Sequence, residues 1–185
     1  MRRDLIEAFE DTMKVSKRFF GKVDSRKYND KLDIVWSDNT VKDIIDNKGS
    51  HVAALNFADG YEPGGLVWKG VKTQEEDLCR SSNLYLALSA INYPIDGSLV
   101  YSKDIVFFRN DKLEWLDKPV RCDIISCPAP ISTIVDAERR MRMIVESAKV
   151  NGAEVLILGK WGCGAFGNDW DEYEKLWMKV LDDCN

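Results

Sequence analysis

Two hydrophobic patterns alternate along the chain: short apolar runs, and longer stretches in which apolar residues recur every three or four positions. Short apolar runs are typical of strands covered on both faces, and the longer spacing is typical of amphipathic helices. The predicted strands are 32–36, 51–57, 105–108, 120–126 and 154–158. The predicted helices are 2–20, 41–45, 74–91, 134–148 and 170–181. Strands that alternate with helices predict a three-layer α/β sandwich.

Chain length and composition favour one globular domain over residues 1–185, with an N-terminal helix in 1–22 packing on it. The hydrophobic fraction of 45% and the charged fraction of 31% are typical of soluble proteins. No segment approaches the ~18–20 apolar residues of a membrane span. The N-terminus mixes charges through its apolar positions, unlike a signal peptide. We therefore expect an intracellular monomer that does not contact membranes.

Cysteines and charge narrow the function classes further. The five cysteines are scattered, and His51 is the single histidine, so we expect reduced thiols and no zinc site. The net charge is −5 and no basic run stands out, which argues against binding to nucleic-acid backbones. A small anionic ligand held by backbone donors remains compatible with this charge.

Candidate chemistry concentrates between residues 56 and 85. Asn56 stands near the end of a predicted strand, Pro63-Gly64-Gly65 forms a turn, and Glu75-Glu76 open a predicted helix. Strand ends, glycine turns and helix N-termini all leave backbone N–H groups free to meet an anion. Carboxylates among such groups indicate chemistry on the bound ligand.

The glutamate pair has a structural interpretation, which is the more common one when the pair is taken alone. Thr73 and Glu76 have the spacing of a capping box, and Glu75 suits the dipole of the first helical turn. In the functional interpretation, side chains of adjacent helical residues diverge by about 100°, so the two glutamates would have different roles.

A second glycine-rich segment, 159–169, lies between a predicted strand and a predicted helix. Such a loop presents consecutive N–H groups as an anion-binding nest. It lacks the Gly-Lys-Ser/Thr of a P-loop and the position of a dinucleotide-binding fingerprint. The segment therefore predicts a phosphate site of another kind.

Together the two segments resemble a known family. Gly64-Gly65, a spacer and Gln74-Glu75-Glu76 resemble the signature of bacterial-type poly(ADP-ribose) glycohydrolases, and 78–85 resembles its continuation. Residues 159–169 resemble the phosphate loop of macrodomains. The resemblance covers roughly residues 30–170 and implies a macrodomain-like α/β/α sandwich with a mixed sheet.

The resemblance implies metal-independent hydrolysis of the ribose–ribose O-glycosidic bond of poly(ADP-ribose), with no cofactor and with release of ADP-ribose. Glu76 would be the catalytic acid and base, partly desolvated by Trp68 and Phe166, and Glu75 would bind ribose hydroxyls. The partner would be ADP-ribose or its polymer, which is sometimes attached to proteins. The implied ligand-binding residues are Asn56, Gly64, Gly65, Gln74, Gly162, Cys163, Gly164, Ala165 and Phe166.

The sequence departs from the family pattern in two places. Leu66 stands where the third glycine is expected, and leucine would impede a loop that needs a positive φ there. A macrodomain sheet usually closes with a strand after the last helix, and this sequence stops after that helix, so we expect either that the strand is absent or that another segment takes its role. Two alternatives therefore stay open: hydrolysis of mono-ADP-ribosyl groups or ADP-ribose esters, and ADP-ribose binding without cleavage. A purely structural α/β domain is a third.

Other residues near these segments have ordinary interpretations. Trp68, Trp161 and Trp170 could stack on adenine, although aromatic residues at such positions more often belong to a core. We expect His51 to be structural, Cys163 to be a small residue beside the phosphate, and the arginines of 139–142 to be solvated.

Overall fold

The computed structural model describes residues 1–16, 18, 27–131 and 133–184. The helices are α1 (Arg2–Ser16), α2 (Thr40–Asp46), α3 (Gln74–Ser81), α4 (Leu84–Ser89), α5 (Ile134–Val150) and α6 (Trp170–Cys184), with a 3-10 helix at Val67–Lys69. The strands are β1 (Asp33–Trp36), β2 (Val52–Phe57), β3 (Val100–Arg109), β4 (Trp115–Cys127) and β5 (Val155–Leu158). Residues 17, 19 and 20 of the predicted first helix lie outside the described residues.

The five strands form one mixed sheet in the order β1-β5-β2-β4-β3. Strands β1, β5, β2 and β4 run parallel, and β3 pairs antiparallel with β4 at the edge. The carboxyl ends of the four parallel strands therefore meet at one edge of the sheet. In open α/β sheets, ligands bind at this edge.

Helices cover both faces of the sheet, which explains the uninterrupted apolar runs of the central strands. Ala53 and Leu55 of β2 face a core built with α5 and α6. Val52 and Ala54 face a second core built with α1, α2, α3 and α4. The predicted fold class, a three-layer α/β sandwich with a mixed sheet, is confirmed.

The prediction of one helix over 74–91 is wrong, because the chain breaks between α3 and α4. Ser82 is extended, with φ −145°, and bridges Phe107 of β3. The backbone N–H of Asn83 donates to Val106 O, and the Asn83 side-chain oxygen accepts from the Val106 N–H at 2.9 Å. Hydrogen bonds to a neighbouring strand thus replace those that would continue the helix.

The expectation that all the arginines of 139–142 are solvated is wrong. Arg140 is not on a solvated face: it is 4% exposed and bonds Asp96, Asp136 and the carbonyl of Pro128. Among the described residues no strand follows α6. Thr133 is the N-cap residue of α5. No described helix is long and apolar enough to span a membrane.

Candidate active site at the carboxyl edge of the sheet

Both segments singled out from the sequence lie at the carboxyl edge of the sheet. Asn56 is the second-last residue of β2, and the glycine-rich loop 159–169 follows β5. Because β2 and β5 are adjacent and parallel, the two segments leave the sheet side by side. The fold therefore unites residues about 100 positions apart in the chain.

Gln74 fixes the start of α3 against the end of β2. Its side-chain oxygen accepts from the Phe57 N–H at 2.9 Å, and its side-chain nitrogen donates to Leu55 O at 2.7 Å. The same nitrogen donates to the hydroxyl of Thr40 at 3.1 Å. The polar atoms of Gln74 are thus engaged within the protein, and the glutamates that follow it are set beside Asn56.

Glu75 is a buried carboxyl group, 2% exposed. Its Oε1 accepts from Asn56 Nδ2 at 3.0 Å, and its Oε2 accepts from the Asp59 N–H at 2.8 Å. Burial raises the pKa of Glu75 to about 8, against the lowering effect of these hydrogen bonds, and the nearby charge of Glu76 adds to the rise. Glu75 is therefore largely protonated at neutral pH.

Glu76 is 4% exposed and joins the helix start to the glycine turn. Its Oε2 accepts from the Thr73 N–H at 3.2 Å and from the Thr73 hydroxyl, so the predicted capping contact is present. Its Oε1 accepts from the Leu66 N–H at 3.0 Å. The carboxyl group thus also holds the turn that covers it, which a cap alone does not require.

The turn Pro63-Gly64-Gly65 packs directly on the two glutamates. Gly64 and Gly65 have φ values of +69° and +57°, and the Gly65 N–H donates to Glu62 O at 3.0 Å. A Cβ on Gly65 would lie 2.7 Å from Glu76 Oε1 and 3.1 Å from Glu75 Oε2. Leu66 has φ −102°, so this position does not need the glycine that the family signature suggests.

Two buried polar atoms near Glu75 have no hydrogen-bond partner within the described part of the chain. They are Asn56 Oδ1, on a fully buried side chain, and the hydroxyl of Tyr93. The Tyr93 pKa is raised by burial and, to a smaller extent, by the charge of Glu75. Tyr93 was missed in the sequence, because nothing in its Tyr-Pro context points to the site.

The glycine-rich loop presents backbone donors to solvent. Within described residues, the N–H groups of Gly164, Ala165 and Phe166 donate to no protein acceptor. Gly162 packs against Ala129 and Asn168, and no atom lies within 4 Å of a Cβ built on Gly164. Three consecutive backbone donors of this loop are therefore available to an anion.

Cys163 does not have the environment of a nucleophile. Its pKa is raised by burial, so the thiol form is favoured, and its Sγ lies 3.5 Å from Trp161 O. His51 begins β2, at the opposite edge of the sheet. Its ring nitrogens lie 2.7 Å from Gly152 O and 2.9 Å from Asp123 Oδ2, which confirms its structural role.

Three cavities lie in a row along this edge. The first, of 490 Å³, is lined by the polar residues after β1, the start of α3 and the β3–β4 turn. The middle one, of 370 Å³, is lined by Gln74, Phe57 and the glycine-rich loop. The third, of 350 Å³, shares Phe166 and Ala129 with the middle one. The lining residues Ser37, Asp38, Asn39 and Thr40 were not predicted from the sequence, although a polar run directly after a strand was an available signal.

The tryptophans divide between core and rim. Trp161 is fully buried and donates from its indole nitrogen to Cys127 O at 2.8 Å, so it cannot stack on a ligand. Trp68 packs edge-on against Phe9 and Tyr85, and Trp170 packs against Trp36. Phe166, in contrast, is 39% exposed at the wall between two cavities.

Within the residues that the structure describes, no cluster of three or more histidine, cysteine, aspartate or glutamate side chains could hold a metal ion.

Comparison with known proteins agrees with this geometry. The family model of the microbial-type poly(ADP-ribose) glycohydrolase catalytic domain matches residues 3–110, more than half of the chain. None of the curated proteins matches the chain significantly in sequence.

Solved structures of bacterial poly(ADP-ribose) glycohydrolases match over nearly the whole chain. One from Thermomonospora curvata, bound to the inhibitor ADP-HPD, is 25% identical with a TM-score of 0.77, covering 95% of this chain and 85% of that one. One from Deinococcus radiodurans, in complex with ADP-ribose, is 27% identical with a TM-score of 0.76, covering 99% and 79%. The chain belongs to the microbial-type poly(ADP-ribose) glycohydrolase family, as its two motifs predicted.

Proposed function

We propose that this chain hydrolyses the ribose–ribose O-glycosidic bond of poly(ADP-ribose) and releases ADP-ribose, the activity for which its family is named. The observation that carries the proposal is the pair of buried carboxyl groups under Gly65, next to an unpartnered buried amide oxygen on Asn56. A buried acceptor without a donor is costly, and a ribose hydroxyl would satisfy it. The Deinococcus radiodurans relative is in complex with ADP-ribose.

The three cavities suggest how the ligand lies. The free N–H groups of Gly164, Ala165 and Phe166 would hold the diphosphate in the middle cavity. Glu75 is bonded to Asp59, which lines the third cavity, so the distal ribose would point that way. The adenosine would then extend toward the first cavity, near Asp38.

The glutamates divide the chemistry. With its pKa raised to about 8 by burial, Glu75 is mostly protonated near neutral pH and suits a binding role. Glu76 would enter the reaction in its protonated form and pass this proton to the leaving ribose oxygen while the C–O bond breaks and positive charge develops on the ribose. A water molecule would then attack the ribose carbon and return its proton to Glu76. Glu75 and Asn56 would hold the ribose hydroxyls, and the substrate diphosphate would help to position the water.

Leu66 is compatible with catalysis. Its backbone is in an ordinary region, its N–H binds Glu76, and its side chain is partly exposed. The substitution of the third glycine therefore leaves the turn over the glutamates intact, which favours cleavage over binding alone.

The test is release of ADP-ribose from poly(ADP-ribose) by the wild type and by Glu76→Gln. Loss of a general acid should lower kcat by about 10²–10⁴-fold. Glutamine also suits a capping box, although its single oxygen can replace only one of the two carboxylate oxygens that accept the Thr73 and Leu66 N–H groups. Glu76→Gln should therefore fold with some loss of stability and still bind ADP-ribose in a calorimetric titration. Glu174→Gln, an exposed position on α6, is the matched control and should keep full activity.

The outcomes separate the alternatives. No release by the wild type, together with tight ADP-ribose binding, would favour the binding module. Full turnover by Glu76→Gln, with turnover lost in Glu75→Gln, would move the acid to Glu75.

A further inference from the structure

In the pose described above, the distal ribose of ADP-ribose points toward the third cavity, but no part of ADP-ribose needs to occupy it. Its lining includes Asp59, Tyr61, Asp96, Pro128, Arg140 and Phe166. Its volume of 350 Å³ falls within the roughly 300–1,000 Å³ of small-molecule sites.

The cavity is continuous with the catalytic centre on the leaving-group side. Phe166 forms part of both the middle and the third cavity. Asp59 lines the third cavity and donates its N–H to Glu75, and its Oδ1 accepts from the N–H groups of Tyr61 and Glu62. In the proposed pose, a group attached to the distal ribose therefore leaves through this cavity.

The floor of the cavity is rigid. The buried guanidinium of Arg140 bonds Asp96 Oδ1 at 3.0 Å and Pro128 O at 2.8 Å, and it pairs with Asp136. Gly60 packs against Asp96 and Pro128, since a Cβ there would lie 3.3 Å from each. The floor is thus held in place without a ligand.

The exposed groups of the cavity suit an uncharged, flat ligand with amino donors. Tyr61 is 68% exposed and Phe166 is 39% exposed, so both offer ring faces. Asp96 Oδ2 accepts no hydrogen bond from the described residues. Carboxyl groups outnumber cations in the lining, with Asp59, Asp96 and Asp136 against Arg140, which disfavours phosphate groups inside the cavity.

We propose that the third cavity is a subsite for the adenosine of the leaving ADP-ribose unit, whose ribose oxygen departs in the reaction. The adenine stacks on Tyr61 and its amino group donates to Asp96, while the diphosphate of that unit extends into solvent. The inference rests on the proposed function for its orientation, and it makes the polymer, rather than a mono-ADP-ribosyl group, the matched substrate.

The test compares two ligands by calorimetric titration in the Glu76→Gln background, which should not cleave them: ADP-ribose and the two-unit oligomer of ADP-ribose. Base–aromatic stacking should make the oligomer bind at least about fivefold more tightly than ADP-ribose. Adding Tyr61→Ala should abolish this advantage and leave ADP-ribose affinity within about twofold. Tyr61→Phe keeps the ring and should keep the advantage.

Tyr28→Ala is the matched control, because Tyr28 is also an exposed tyrosine, at 59%, and its neighbour Asn29 bonds Ala153 near the opposite edge of the sheet. Equal affinities for the two ligands would overturn the subsite, and so would an advantage that survives Tyr61→Ala. These titrations need no turnover, so they remain decisive if the wild type fails to hydrolyse the polymer, a result that would overturn the proposed function instead.

Discussion

Gly65 shows how one absent side chain shapes the site. Its backbone passes so close to the two glutamates that even a methyl group would contact both carboxyl groups. The family signature identified this glycine and the glutamates from sequence alone. The signature could not show that leucine is tolerated at position 66. The site uses the backbone N–H of Leu66, and its φ of −102° does not require glycine.

We expect Gly65→Ala to lower kcat/KM by about tenfold or more, since the new Cβ would push the carboxyl groups from their positions. The positive φ should add a loss of about 1–2 kcal/mol in the free energy of unfolding. Steady-state kinetics and urea denaturation would measure the two effects. Gly49→Ala, where no atom lies within 4 Å of the new Cβ, is the control. Unchanged kinetics in Gly65→Ala would refute the close packing.

The buried carboxyl group of Glu75 should make stability depend on pH. Its pKa is raised from 4.5 to about 8, so the folded protein holds this proton in a range where the unfolded chain has lost it. The neutral form therefore stabilises the fold fully below pH 4.5, and this contribution is lost as pH rises toward 8. Glu75→Gln should remove the dependence and gain stability relative to wild type at pH 8, on the order of a few kcal/mol.

Thermal denaturation of Glu75→Gln and wild type between pH 5 and 8 would measure this difference. The exposed substitution Glu174→Gln should leave the pH profile unchanged. A constant difference between wild type and Glu75→Gln across this range would contradict the raised pKa.

At the scale of elements, prediction from sequence worked where periodicity and burial agree. The uninterrupted apolar runs of β2 and β5 located those strands to within one residue at either end. It failed at α3–α4, because residues 74–91 keep helical spacing and the break depends on Val106, a partner more than twenty positions away. The local sequence does not indicate that partner.

We expect Asn83→Ala to lower the free energy of unfolding by about 1–3 kcal/mol, because the buried Val106 N–H loses its acceptor. Urea denaturation would measure the loss. Ser89→Ala, which removes an exposed hydrogen bond on α4, should have little effect. Equal effects of the two substitutions would show that the bond to β3 does not hold the helix break.

At the scale of the whole molecule, an acidic protein is proposed to bind an anionic ligand. Backbone N–H groups of the glycine-rich loop carry the interaction in this proposal, and the net charge is −5. The sequence predicted both the acidic charge and the glycine-rich loop. It could not show that three cavities line up along one edge, since their walls come largely from segments that follow all four parallel strands.

ADP-ribose affinity should therefore depend little on salt. Between 50 and 200 mM NaCl we expect a change in Kd within about twofold, against the roughly 10³–10⁵-fold of a protein that binds nucleic acid through many cations. Calorimetric titration at several salt concentrations would test this. A steep loss of affinity would instead assign the binding to side-chain cations such as Lys160, which lines the first two cavities.

The position of β5 has a consequence for how the protein is made. This strand lies between β1 and β2, which have no ladder to each other. During synthesis, β1 and the edge of β2 that faces β5 lack this partner until residues 155–158 leave the ribosome. Unpaired apolar edges promote aggregation, and sheets closed by distant segments form slowly. Nascent chains of this protein are thus exposed to misassembly until β5 has been made.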